Sequence, residues 1–287
     1  MSPESDGVSD VSGVSGVSWL GHPIDARALF GPELDSLLGT LRGLTPSEWS
    51  RPAAGHWTVH DVAAHLLGDY HCRLGEDHRN GFADGETLAA FIHRMNQAWV
   101  DLHADDSPAA LVDALSAAGT RLARRFAAAD LGAVAELSVS WAGADPAPAW
   151  LDIAREFTEH WTHRQQIRHA VGHATDPEPR PLALVLDTFM RALPHTLHRT
   201  TAPVGAQLQV TAEGPGGGSW TATATADRWS LAEPPAGRPT AAVLLDTETV
   251  WRLSTRNIAP AEALSRAQVH GDRRLAEAAC QIVSIVY

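Results

Sequence analysis

Cysteine is nearly absent from this sequence. Cys72 and Cys280 are the only two in 287 residues, far apart and with no CxxC spacing. A disulfide framework is thereby excluded, and a reducing cytoplasm is the expected compartment. Each thiol reads as a small buried hydrophobe rather than a nucleophile. An excess of basic residues is also missing: 22 Lys and Arg face 34 Asp and Glu, for a formal charge of −12. Phosphate backbones require a positive face, so nucleic acid is not an expected partner. No run of about 18 apolar residues exists, which excludes a spanning helix, and no membrane partner is expected. The first twenty residues lack the charged and apolar regions of a secretory signal. Gly214-Pro215-Gly216-Gly217-Gly218 has no GxGxxG or GKS context, so it is read as a turn and not a phosphate cradle. No internal repeat is evident.

What is present describes a globular chain, 44% hydrophobic and 20% charged. Its length suits one large or two ordinary domains. Residues 1–18 form an acidic, Ser/Gly-rich tail expected to be disordered. Ile24–Leu44 reads as a first helix, ended by Thr45-Pro46. Thr58 and Asp61 form a capping box that starts a second helix, Val59 to about Leu74. His65 lies inside that helix between Ala64 and Leu66, where an unpaired polar group would cost about 1–3 kcal/mol. Residues 75–85 read as loop, Glu86–His103 as a third helix with the stripe Leu88, Phe91, Ile92, Met95 and Trp99, and a fourth helix follows Ser107-Pro108. The first half is therefore read as all-helical, a four-helix bundle with one extra helix. After the polar segment 173–180, Leu182–Leu197 reads as a helix. Ala206–Ala212, Trp220–Ala226 and Ala242–Leu245 read as strands. Thr247–Ser254, Ala259–Ala267 and Leu275–Ile285 are helical candidates, with Val269–Asp272 as a strand-like edge. This half is α+β and reads as a separate domain.

The chain is organised around Pro148–Gly172. Pro148 suits a helix start and Gly172 the position just past its end. Trp150, Ile153, Phe157 and Trp161 form an apolar stripe, and Glu156, Glu159, His160 and His163 lie beside it. Residues four apart on a helix are neighbours, so Glu159/His163 and Glu156/His160 are each a carboxylate–imidazole pair able to give two ligands to a divalent metal. Periodicity alone leaves both pairs open. A third ligand must come from elsewhere.

With these residues laid out, the chain resembles the DinB-like metal-binding bundle proteins, and within them the mycothiol-dependent maleylpyruvate isomerase group. Trp57-Thr58-Val59-His60-Asp61-Val62-Ala63-Ala64-His65-Leu66 is similar to the family's second-helix motif, whose terminal His is a metal ligand. Ala154 through His163 is similar to its E-x-x-x-H helix, and Val250-Trp251-Arg252-Leu253 with the residues after it to its small C-terminal domain. The resemblance implies an N-terminal DinB-like four-helix bundle over residues 19–175 and a small α+β, SCP2-like domain over residues 181–287. It implies that His65, Glu159 and His163 are the metal ligands, with Glu156 and His160 as supporting or packing residues. Gln166 stands where relatives often carry Asp. Tyr70, Trp57 and Trp161 are candidates for the pocket wall, Arg252 for a catalytic cation that grips a carboxylate, and Arg168 for a similar role.

Three protein ligands leave coordination positions open, as at a catalytic site. The expected function is a divalent-metal-dependent isomerase or S-transferase, with Zn2+ as the expected metal. Mycothiol or another low-molecular-weight thiol would be ionised to attack a small electrophile. The alternatives are a non-catalytic metal- or ligand-binding protein and a metal-dependent hydrolase using the same open site.

Overall fold

The computed structural model describes residues 17–76, 83–136 and 141–284. Residues 1–16 of the expected 1–18 tail and part of the 75–85 loop lie outside these residues; Ser18, at the end of that tail, opens a 3-10 turn over Ser18–Leu20. The first helix, α1 (Phe30–Arg42), starts later than its apolar spacing suggests, after a 3-10 turn at Arg27–Leu29. There the Asp25 carboxylate accepts the Arg27 backbone N–H, at 3.1 Å. The reading of the first half as all-helical needs a correction. Strands β1 (Pro52–Ala54) and β2 (Trp57–Thr58) form a small antiparallel hairpin before helix α2 (Val59–Arg73). The capping box is present: the Asp61 N–H donates to Thr58 Oγ1, and the Asp61 carboxylate accepts the Thr58 N–H.

Helices α3 (Leu88–Leu102), α4 (Pro108–Ala127) and α5 (Ala149–Ala170) follow. α1, α2, α4 and α5 pack on one another, and α3 lies against α2. Trp99 of α3 sits so close over Gly68 that a Cβ there would come within 2.6 Å of its ring. Pro148 serves as the N-cap of α5, and Gly172 takes φ +83 just beyond its end. A left-handed residue there favours glycine. α5 is enclosed on nearly every side. Leu151, Ala154, Phe157, Trp161 and Ile167 are 0–1% exposed, and Asp152, Glu156, His160, Arg164 and Gln165 are buried among them. A helix buried all round carries polar groups only where they are paired.

The expected helix Leu182–Leu197 is broken into α6 (Pro179–Met190) and α7 (Leu193–Thr196). Pro194 explains the break: it has no N–H to continue the helical ladder. Strands β3 (Gln207–Glu213), β4 (Gly218–Ala224), β5 (Trp229–Ser230), β6 (Ala241–Asp246) and β7 (Gln268–Gly271) form one sheet of order β5-β4-β3-β6-β7. The β3–β6 pairing is parallel and the others antiparallel. Leu208, Val210 and Ala212 alternate inward on β3, and Ala241, Val243 and Leu245 on β6. α6, α8 (Thr247–Ser254) and α10 (Arg273–Ala279) pack against this sheet, and α9 (Pro260–Arg266) abuts α8. α10 ends at Ala279, short of the expected Ile285. One hydrophobic cluster runs through both halves of the chain. Trp161 of α5 meets Trp251 of α8 edge-on, with ring centroids 5.6 Å apart. Among the described residues no helix is long and apolar enough to cross a membrane.

Candidate metal centre

α2 and α5 run antiparallel, because successive turns of α2 meet receding turns of α5. Their polar contacts form a ladder of three rungs. His65 faces Glu159 and His163, Asp69 faces His160 and Glu156, and Arg73 faces Glu156 and Asp152. Residues 156, 159, 160 and 163 fall within an arc of about 100° on a helix of 3.6 residues per turn. Both candidate pairs therefore face α2, which is why periodicity could not choose between them.

In the first rung His163 Nε2 lies 3.0 Å and His65 Nε2 3.5 Å from the same atom, Glu159 Oε1. One donor atom from each residue lies within 4.8 Å of the other two. Donors bound at about 2.0–2.2 Å to a common cation, at near-tetrahedral or right angles, stand about 3.0–3.5 Å apart. The observed Glu159 separations fit that range. Two imidazole nitrogens and one carboxylate oxygen also suit Zn2+ or another first-row divalent ion. Among the described residues no fourth His, Cys, Asp or Glu joins the group. The side chains of His65, Glu159 and His163 retain 7%, 15% and 12% exposure, so the cluster has a narrow opening to solvent.

The surroundings orient these side chains. His163 Nδ1 donates to Gln166 Oε1 at 2.7 Å, which fixes the ring so that Nε2 faces Glu159. Trp57 lies beside the His65 ring at 4.9 Å between centroids, its indole N–H bonded to Gln97 Oε1. Burial would raise the Glu159 pKa, but the two imidazoles outweigh it and hold this carboxyl well below its usual range. Burial opposes charge on His163, yet Glu159 and Gln166 shift its pKa upward.

The second rung is as buried as the first. Asp69 Oδ2 and Glu156 Oε1 lie 3.4 and 3.5 Å from His160 Nε2. Desolvation opposes the imidazolium, but these carboxylates push His160 up to about 9. In the third rung Arg73 donates through Nη1 and Nη2 to Asp152 at 2.7 and 2.9 Å and through Nε to Glu156 at 2.7 Å. Arg164 on α5 similarly holds the buried Glu33 of α1 and, at 2.7 Å, Asp176 beyond the helix end.

The remaining sequence candidates fall elsewhere. Tyr70 packs on the His160 ring at 4.7 Å, and Trp161 is fully buried against Trp251. Arg168 donates to the Ala174 carbonyl. Arg252 on α8 stands near the C-terminal end of α5, with Glu248 as its ion-pair partner at 3.9 Å, and Glu248 in turn lies 3.9 Å from His169. Its Nε is buried without a hydrogen-bond partner. Sequence reasoning missed Asp69, Arg73 and Asp152. For Asp69 the signal was there, four residues after His65 on the same helix face. Arg73 and Asp152 meet only through the fold.

Residues 30–168 match the family model described as the mycothiol maleylpyruvate isomerase N-terminal domain. Two solved structures are similar to the chain. One is a histidine-to-alanine mutant of the mycothiol-dependent maleylpyruvate isomerase, at 14% identity and TM-score 0.46. The other is the mycothiol-dependent maleylpyruvate isomerase itself, at 15% identity and TM-score 0.42. Each alignment covers 82% of this chain and 90% of the other. No curated protein sequence matches it.

Proposed function

We propose, from the match of residues 30–168 to the mycothiol maleylpyruvate isomerase N-terminal domain model, that the chain is a divalent-metal- and thiol-dependent isomerase or S-transferase of the cytoplasm. Its thiol is mycothiol or a close analogue, and its substrate is a small electrophile of the maleylpyruvate kind. Residues 19–175 form the DinB-like four-helix bundle of this reading, and residues 181–287 the SCP2-like domain. The observation that carries the proposal is the convergence of His65, Glu159 and His163 on one point between α2 and α5, partly open to solvent.

In this reading those three side chains hold the metal, with Zn2+ as the expected ion. A cation bound there supplies a thiol ionised at neutral pH, whose reversible addition to the electrophile gives isomerisation and whose retained addition gives transfer. The chain itself supplies orientation. Gln166 fixes the tautomer and ring plane of His163, and Trp57 walls the other side of His65, limiting the positions a ligand can take. Arg252, one third of its side chain exposed and its ion pair with Glu248 as long as 3.9 Å, supplies a cation for a carboxylate of the thiol or substrate.

The test is turnover of maleylpyruvate by purified protein with and without mycothiol, before and after chelation and metal return. The proposal expects turnover only with both thiol and metal, and its loss in His65→Ala. Tight metal binding without turnover for any thiol would leave a non-catalytic binding protein. Solvent oxygen in the product would identify a hydrolase instead.

A further inference from the structure

One turn along the α2–α5 interface stands a second trio of donors to which the proposed function gives no task. Asp69 follows His65 by four residues, while Glu156 and His160 precede Glu159 and His163 by three. The second set is therefore displaced from the first as a unit, by about 4.5–6 Å along the helices. Asp69 Oδ2, Glu156 Oε1 and His160 Nε2 lie within 4.8 Å of one another. All three atoms are buried, and each lacks a hydrogen-bond partner. Glu156 is 0% and His160 4% exposed. Buried polar atoms of native proteins are almost always satisfied, so three unsatisfied ones aimed at one point call for a group between them.

We propose that Asp69, Glu156 and His160 form a second divalent-cation site, distinct from the one built on His65, Glu159 and His163. The mixture of two carboxylates and one imidazole suits a first-row ion such as Zn2+, Mn2+ or Fe2+. A proton on His160 is the competing occupant, and it satisfies the geometry less well. An N–H on Nε2 can be aimed at one carboxylate only, which leaves the other oxygen without a partner. The separations of 3.4 and 3.5 Å exceed the usual N–H···O range of about 2.7–3.2 Å. They match the spacing of two donors on a common cation. Arg73 also engages Glu156 through Oε2, so Oε1 is held toward His160, the kind of support that orients metal ligands.

The test is the stoichiometry of Zn2+ after chelation and equilibrium dialysis, read by plasma mass spectrometry. It is run on the full-length protein, on His65→Ala and on Asp69→Asn with His160→Gln, with circular dichroism confirming the fold. Two equivalents in the wild type, one in His65→Ala and one in the double variant are expected. One equivalent in the wild type, lost in His65→Ala, overturns the second site and leaves the first standing. One equivalent kept in His65→Ala but lost in the double variant upholds the second site while removing the first. No bound Zn2+, or two equivalents still present in the double variant, also overturns the inference. Should the double variant unfold, the wild type and His65→Ala decide between these outcomes.

Discussion

Replacing Arg73 with Met tests whether the third rung clamps α2 to α5. The Arg73 side chain is 3% exposed and makes three hydrogen bonds, two to Asp152 and one to Glu156, which are 7% and 0% exposed. Removing one partner of a buried charge pair costs about 3–5 kcal/mol, because the remaining charge stays buried. Here Arg155 remains, 3.2 Å from Glu156 and 3.9 Å from Asp152, which places the expected loss near the lower end, about 3 kcal/mol. That is a substantial part of the 5–15 kcal/mol typical of folded proteins. At an m-value of about 3 kcal/mol/M it lowers the urea midpoint by about 1 M. Urea unfolding followed by circular dichroism and tryptophan fluorescence, with coincident transitions, measures it. Adding Asp152→Asn and Glu156→Gln removes the stranded charges and should restore at least half of the loss. A single variant within about 1 kcal/mol of wild type would refute the reasoning, since that is the scale of a solvent-exposed pair. So would a triple variant no more stable than Arg73→Met.

Two further substitutions probe the neighbourhood of the first rung. Gly68→Ala places a methyl 2.6 Å from the Trp99 ring, so α3 must shift, at about 1–3 kcal/mol; a thermal melt that does not move would mean α3 is not held where it is described. Gln166→Leu removes the acceptor for His163 Nδ1 and should weaken metal binding about 10–100-fold with little effect on the melt. Competition against a chromogenic chelator measures this, and an unchanged Kd would show that Gln166 does not orient the ligand.

Much of this was legible in the chain because the signals are local. Thr58 and Asp61 mark the start of α2, Pro148 and Gly172 bracket α5, and the alternation of Leu208, Val210 and Ala212 marks β3. The hairpin β1–β2 was not legible, since Pro52-Ala53-Ala54 shows no alternation and its strands are two and three residues long. The break before α7 could have been read from Pro194 but was masked by the apolar spacing around it. At the site, spacing identified the right face of α5 and could go no further. It takes the antiparallel placement of α2 to set His65 against Glu159 and Asp69 against His160. Arg73 meets Asp152 and Glu156 across long sequence separations, and no periodicity within a single helix encodes such a contact.

The central claim is that one cation is held jointly by α2 and α5. The most direct measurement is an anomalous-difference map, collected at the zinc absorption edge, from crystals of the zinc-loaded protein. The account predicts a peak about 2.0–2.2 Å from His65 Nε2, His163 Nε2 and a Glu159 carboxylate oxygen. No peak among these three side chains, with zinc present in the crystal, would contradict it.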